Sequence, residues 1–133
     1  MSKFSFVVSI LSMSSNVSLS NMPAAIAEFI NNTGNRAVVN LYSARRVRLI
    51  INVMVAGFST AELRVQYSED QSNWFYLDGI DGPKMSINVA SIKISPWVDI
   101  AQQAKKEVFL RVVGINGNGI VDPAFRNVLV EFD

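Results

Sequence analysis

The chain contains no cysteine and no histidine. Without cysteine there is no disulfide framework, no thiolate metal site and no thiol nucleophile. Without histidine the commonest general base and the commonest transition-metal ligand are both missing. No Gly-x-Ser-x-Gly elbow is present, so no serine has the setting of a nucleophile. A charge excess of one sign is absent too: 12 basic and 11 acidic residues give a net charge of +1. Phosphate-binding proteins usually carry a clear basic excess, so nucleic acid is not an expected partner. No apolar run approaches the ~20 residues needed to span a bilayer, so a membrane is not expected either. These absences predict a protein that is not an enzyme and has no catalytic residues, cofactor or metal.

What is present is apolar material. Half of the 133 residues are hydrophobic, ample for one core in one domain of ordinary size. At this length a chain buries roughly two-thirds of its unfolded surface and needs no disulfide or metal staple. Residues 1–133 therefore read as a single domain, with no internal repeat and no linker. The first residues raise the question of a signal peptide, because Lys3 precedes an apolar stretch. Phe4, Phe6, Val8 and Ile10 alternate with Lys3, Ser5 and Ser9, however, which is the period of a half-buried strand. The two sequons, at Asn16 and Asn31, are read as chance.

From Ser12 to Asn21 the chain is rich in Ser, Asn and Met and poor in large apolar groups, the texture of a long loop or an arm. Residues 12–35 as a whole are expected to form an extended arm or long loop, with a short helix at Pro23–Ile30. That helix would place proline in its first turn and Ile26, Phe29 and Ile30 on one face. Beyond it, period-two patterns dominate. Val47, Leu49, Ile51, Val53 and Val55 alternate with Arg46, Arg48, Ile50, Asn52 and Met54. Leu63, Val65 and Tyr67 alternate with Glu62, Arg64, Gln66 and Ser68, and a polar turn at Glu69–Asn73 leads into an aromatic strand, Trp74–Leu77. Further strands are expected at 87–92, 108–113 and 128–132. Residues 97–106 fit either a short helix capped by Ser95 or a strand followed by a polar turn. About seven or eight short strands with glycine-rich turns predict an all-β, antiparallel β-sandwich or jelly-roll-like fold with at most one or two short helices.

Few residue patterns carry chemistry. Gly114–Gly119 lacks the Lys-Ser/Thr ending of a phosphate loop, and Asp122 stands where a dinucleotide fingerprint needs glycine. A plain connection is expected there, with left-handed backbone at Gly117 and Gly119. Glu69, Asp70, Asp78 and Asp81 supply oxygens but not EF-hand spacing, and Asx residues in tight turns have backbone reasons to be there. Trp74, Tyr76 and Trp97 would suit a stacking platform for a sugar or base, or else core and subunit contacts. Arg45, Arg46 and Arg48 are either an anchor for an acidic partner or a solvated strand edge.

Two passages carry a resemblance. Ala61–Leu77 runs through Gln66-Tyr67-Ser68, a polar turn and a returning Trp74 strand. Val108–Gly119 continues through Asp122-Pro123-Ala124-Phe125 to Val128–Phe132. Together they resemble small β-sandwich proteins of tailed bacteriophage particles, notably head decoration (cement) proteins. The resemblance implies a structural virion protein, assembled in the host cytoplasm. It would bind the major capsid protein on the outside of the shell as a homo-oligomer, dimer or trimer, and strengthen it. Contacts would come from the arm, the three arginines and the outer aromatics Trp74, Tyr76 and Trp97. The alternative is a carbohydrate-binding β-sandwich module, from a phage tail or a secreted protein, that stacks sugars on those aromatics.

Overall fold

The computed structural model describes residues 5–19, 27–29 and 37–133, without the side chains of residues 27 and 29. Eleven strands and one 3-10 turn occur among them: β1 (Phe6–Ser18), β2 (Ala27–Phe29), β3 (Ala37–Asn40), β4 (Arg46–Val55), β5 (Glu62–Ser68), β6 (Phe75–Tyr76), β7 (Lys84–Ser86), β8 (Ile92–Ile94), β9 (Val98–Asp99), the 3-10 turn Gln102–Ala104, β10 (Glu107–Ile115) and β11 (Ala124–Phe132). They form two antiparallel sheets. The first runs β1-β11-β4, with β8 and β9 sharing the far side of β4. The second has β10 and β5 at its centre, flanked by β2 and β3 on β10 and by β6 and β7 on β5. The fold is the all-β sandwich that the strand patterns predict.

The long central strands follow the alternation closely. Val47, Leu49, Ile51 and Val53 of β4 point inward and are buried, as are Leu63, Val65 and Tyr67 of β5 and Val108, Leu110 and Val112 of β10. Burying each such side chain contributes roughly 1.5–3 kcal/mol. Inward side chains of both sheets meet in one continuous core. Val55, expected on the same face, lies 44% exposed at the end of β4.

Two strands change parity through bulges. On β11, Phe125 pairs with Val53 and Asn127 with Asn52, so two steps on one strand match one on the other. The extra residue lets Phe125 and Val128 both face the core, where a regular strand would send one of them out. On β1, Ser9 pairs with Leu129 and Leu11 with Val128, which buries Ile10 and Leu11 side by side. The inward Phe6 ring stacks on Phe132 at 4.9 Å between centroids.

The structure corrects several local expectations. Ser12–Ser18 is not a loop but the second half of β1, which returns to β11 through Val17↔Phe125 and Ser18↔Ala124 after an irregular stretch. Propensity sees the polar residues there; it does not see the backbone ladder that β11 offers from more than a hundred residues away. Ala27–Phe29, placed in a helix by the sequence, pairs with Val112–Gly114 as a strand. The remainder of that helix, and most of the expected arm, lie outside the described residues. Residues 88–91 form exposed bends between β7 and β8 instead of a strand. Residues 97–106 combine elements of both expected forms, the two-residue strand β9 followed by a single short 3-10 turn. Ser95 caps no helix; its hydroxyl accepts the Leu49 N–H at 2.8 Å. In the last glycine-rich loop the left-handed residues are Asn116 and Gly119, not Gly117. Asparagine tolerates that region, and its carbonyl is held by the Thr60 hydroxyl at 2.9 Å.

Candidate binding surfaces

On the first sheet, β4 presents Arg46, Arg48 and Ile50 outward while its alternate residues fill the core. Arg46 Nε donates to Asp133 Oδ2 and Arg48 Nε to Glu131 Oε1, each at 2.6 Å. The two guanidinium carbons lie 4.4 and 4.3 Å from the centroid of the Trp97 ring. Arginine over an indole is a favourable cation–π contact. Arg45 is left 66% exposed, 3.7 Å from Asp133. The cluster therefore ties β4 to β11 and to the segment leading into β9. It is not a strand edge, because β4 is paired on both sides.

Beside this ionic row lies an apolar one. Ile94 pairs with Ile50, which pairs with Leu129, so three apolar side chains line up across β8, β4 and β11 on the outer face. Ile92 and Val7 flank them, and Ile92, Ile94 and Val7 are 72%, 52% and 50% exposed.

The outer face of the second sheet carries its own arginine–aromatic cluster, and its arginines are less exposed. Arg111 Nε donates to Gln66 Oε1 at 2.8 Å, its Nη1 reaches Glu28 Oε2 at 3.2 Å, and its guanidinium lies 4.2 Å from the Trp74 centroid. Arg64 Nη2 donates to Glu62 Oε1 at 2.6 Å and lies over Tyr76 at 5.5 Å. Trp74 and Tyr76 thus belong to one face, as their parity predicts, while Trp97 belongs to the opposite sheet. A three-ring platform does not form.

A cleft of about 590 Å³ opens at the β5–β6 edge. Tyr67, Trp74, Phe75 and Tyr76 line it, with Glu69, Gln103 and Lys106 as polar members. Tyr67 and Phe75 are directly opposite in the ladder, their rings 5.8 Å apart. Burial pushes the Tyr67 hydroxyl above the usual phenol range. Among the lining residues, Lys106 Nζ and Glu69 Oε1 form an ion pair at 3.3 Å. The walls are fixed by the Ala101 N–H donating to the Leu77 carbonyl at 2.8 Å and the Gly79 N–H to the Tyr76 carbonyl at 2.9 Å. Gly79 has φ of 79°, which a side chain rarely adopts. Tyr67, Phe75 and Gln103 are not among the site residues that the sequence points to, and Lys106 is read there only as part of a small basic pair with Lys105. The hairpin register that sets Phe75 opposite Tyr67 was the signal available.

The acidic turn residues act locally. Asp78 Oδ1 accepts the N–H groups of Ile80, Asp81 and Gly82 at 2.8–2.9 Å. Asp70 accepts from Asn73 and Ser72 in the same way, and those bonds hold its carboxyl well below the usual carboxylate range. Among the described residues no group of three or more acidic, histidine or cysteine side chains is placed to hold a metal. The chain matches no protein-family model and no curated protein sequence.

Proposed function

We propose that the chain is a structural virion protein that self-associates and decorates a capsid shell, docking on the major capsid protein through the outer face of the first sheet. The observation that carries this reading is the row Ile94–Ile50–Leu129 with Ile92 and Val7 beside it, apolar side chains left facing water on a sheet whose other face is already the core. Contiguous exposed apolar groups rimmed by polar ones mark protein interaction sites. Here the rim is Arg46, Arg48, Glu131 and Trp97, already ordered by their mutual contacts. Rim groups that are fixed beforehand lose less entropy on docking. The resemblance to decoration proteins supplies the shell as the partner.

Light scattering across a concentration series tests self-association, and co-sedimentation with phage heads tests docking. The wild-type chain is expected to run as a dimer or trimer and to pellet with shells. The Ile92→Asp/Ile94→Asp double variant is expected to do neither, with an unchanged thermal melt because both side chains are exposed. A wild-type chain that remains monomeric and stays in the supernatant overturns the reading.

A further inference from the structure

From the cleft at the β5–β6 edge we infer a second binding site, one for a neutral saccharide. It is separate from the assembly role, because the cleft belongs to the second sheet and the apolar row to the first.

Three observations specify the ligand. The first is the apolar wall. Phe75 is 57% exposed and Ile80 is 80% exposed, so the cleft shows water an aromatic ring and a branched aliphatic chain that the core does not take in. Tyr67 lies buried beside Phe75 on the neighbouring strand, its ring 5.8 Å away and tilted by 40°, and holds that ring in place. A flat apolar ring of this kind suits the C–H face of a pyranose. The second is the polar complement. Glu69 accepts, Lys106 donates and Gln103 does both, the mixture that vicinal hydroxyl groups require. One anion and one cation face each other at 3.3 Å, so their charges cancel. A phosphate or carboxylate ligand would find no excess of positive charge here. The third is preorganisation. Asp70 organises one lip by accepting from the Ser72 and Asn73 N–H groups, and Asp78 organises the other by accepting from Ile80, Asp81 and Gly82. A cleft of about 590 Å³ is within the usual range for a small-ligand site.

The arrangement differs from the sugar platform expected from the sequence. Trp97 has no part in it, and Trp74 lies under Arg111. Phe75 supplies the stacking ring.

The chain contains two tryptophans, and only Trp74 lines the cleft. A Trp97→Phe variant therefore keeps a single tryptophan as reporter beside the site and an aromatic ring under Arg46 and Arg48. Labelled wild-type protein is applied to an array of neutral and acidic oligosaccharides, and the strongest hit is titrated in solution against the Trp97→Phe background. Expected is saturable binding to a neutral glycan with a change in Trp74 emission. Adding Phe75→Ala should weaken it at least tenfold without altering the thermal melt, and adding Ile94→Asp should leave it unchanged. No array signal, a preference for acidic over neutral glycans, or equal affinity in Phe75→Ala overturns the proposal.

Discussion

On the first sheet Arg46 and Arg48 lie over Trp97 and reach Asp133 and Glu131; on the second, Arg111 lies over Trp74 and reaches Gln66 and Glu28. The residue types match, but their surroundings do not. The Arg46 and Arg48 side chains are 42% and 28% exposed, whereas Arg111 and Arg64 are both 15% exposed. Water reaches the first pair of arginines more than the second, so equal contacts differ in consequence. The apolar groups left bare differ as well: isoleucines across a flat face on one side, a phenylalanine at the mouth of a cleft on the other. A surface aromatic under an arginine is already occupied. The binding surface is found in the residues next to it.

The largest effects should come from below both faces and should be alike. Leu49 on β4 and Leu110 on β10 are both fully buried in the shared core. Leu49→Ala and Leu110→Ala are each expected to cost about 2–5 kcal/mol by urea denaturation. Both should leave a single transition, because the two sheets fold as one unit. Two separated transitions in either variant would break the comparison by making the sheets independent.

The next test separates the faces. Arg111→Met removes the donor to the Gln66 Oε1, on a side chain only 4% exposed, together with the ion pair to Glu28, and is expected to cost about 2–3 kcal/mol because the buried Gln66 oxygen loses its hydrogen bond. Arg48→Met breaks the ion pair to Glu131, whose side chain is 20% exposed like that of Glu28, but strands no buried amide, and Arg48 itself is the more exposed arginine, so it should cost about 1 kcal/mol. Equal losses, or the reverse order, would mean that exposure does not govern these networks.

The sequence shows the central strands well because one face of each is buried, and burial writes period two into the residues. Val47–Val53, Leu63–Tyr67 and Val108–Val112 are legible for that reason. Short edge strands carry no such record. Ile87 is buried, yet Asn88, Val89, Ala90 and Ser91 are exposed in bends, so the apparent alternation there reflects no strand. Pairing partners are invisible for a different reason. Parity says which face of its own strand a residue occupies, not which sheet the strand joins. Trp74 and Tyr76 could be grouped from sequence, and Trp97 could not be separated from them. The cleft is less legible still: Tyr67 and Phe75 meet through the β5–β6 ladder, but Lys106 precedes β10 and joins them only through the tertiary fold.

The smallest expected effect concerns the lip of that cleft. Asp70 accepts hydrogen bonds from the Asn73 and Ser72 backbones, the Asn73 amide and the Ser68 hydroxyl, and these lower its pKa. A carboxyl whose pKa falls on folding adds stability that is complete above its unfolded value, roughly pH 4, and that is lost as pH drops through the folded value. Asp70→Asn keeps an acceptor oxygen but loses the charge. The stability gap between wild type and Asp70→Asn should therefore be constant from neutral pH down to about pH 5 and should narrow below about pH 4. Because Asp70 is fully exposed, that gap should be small and should shrink further with added salt. First-sheet variants such as Arg48→Met should show no matching change at the β5–β6 loop. Amide exchange at Ser72 and Asn73 reads the loop directly: faster exchange in Asp70→Asn at pH 7, converging with wild type in acid, ties the lip to this one carboxylate. Unchanged exchange would show that the lip holds its shape without it.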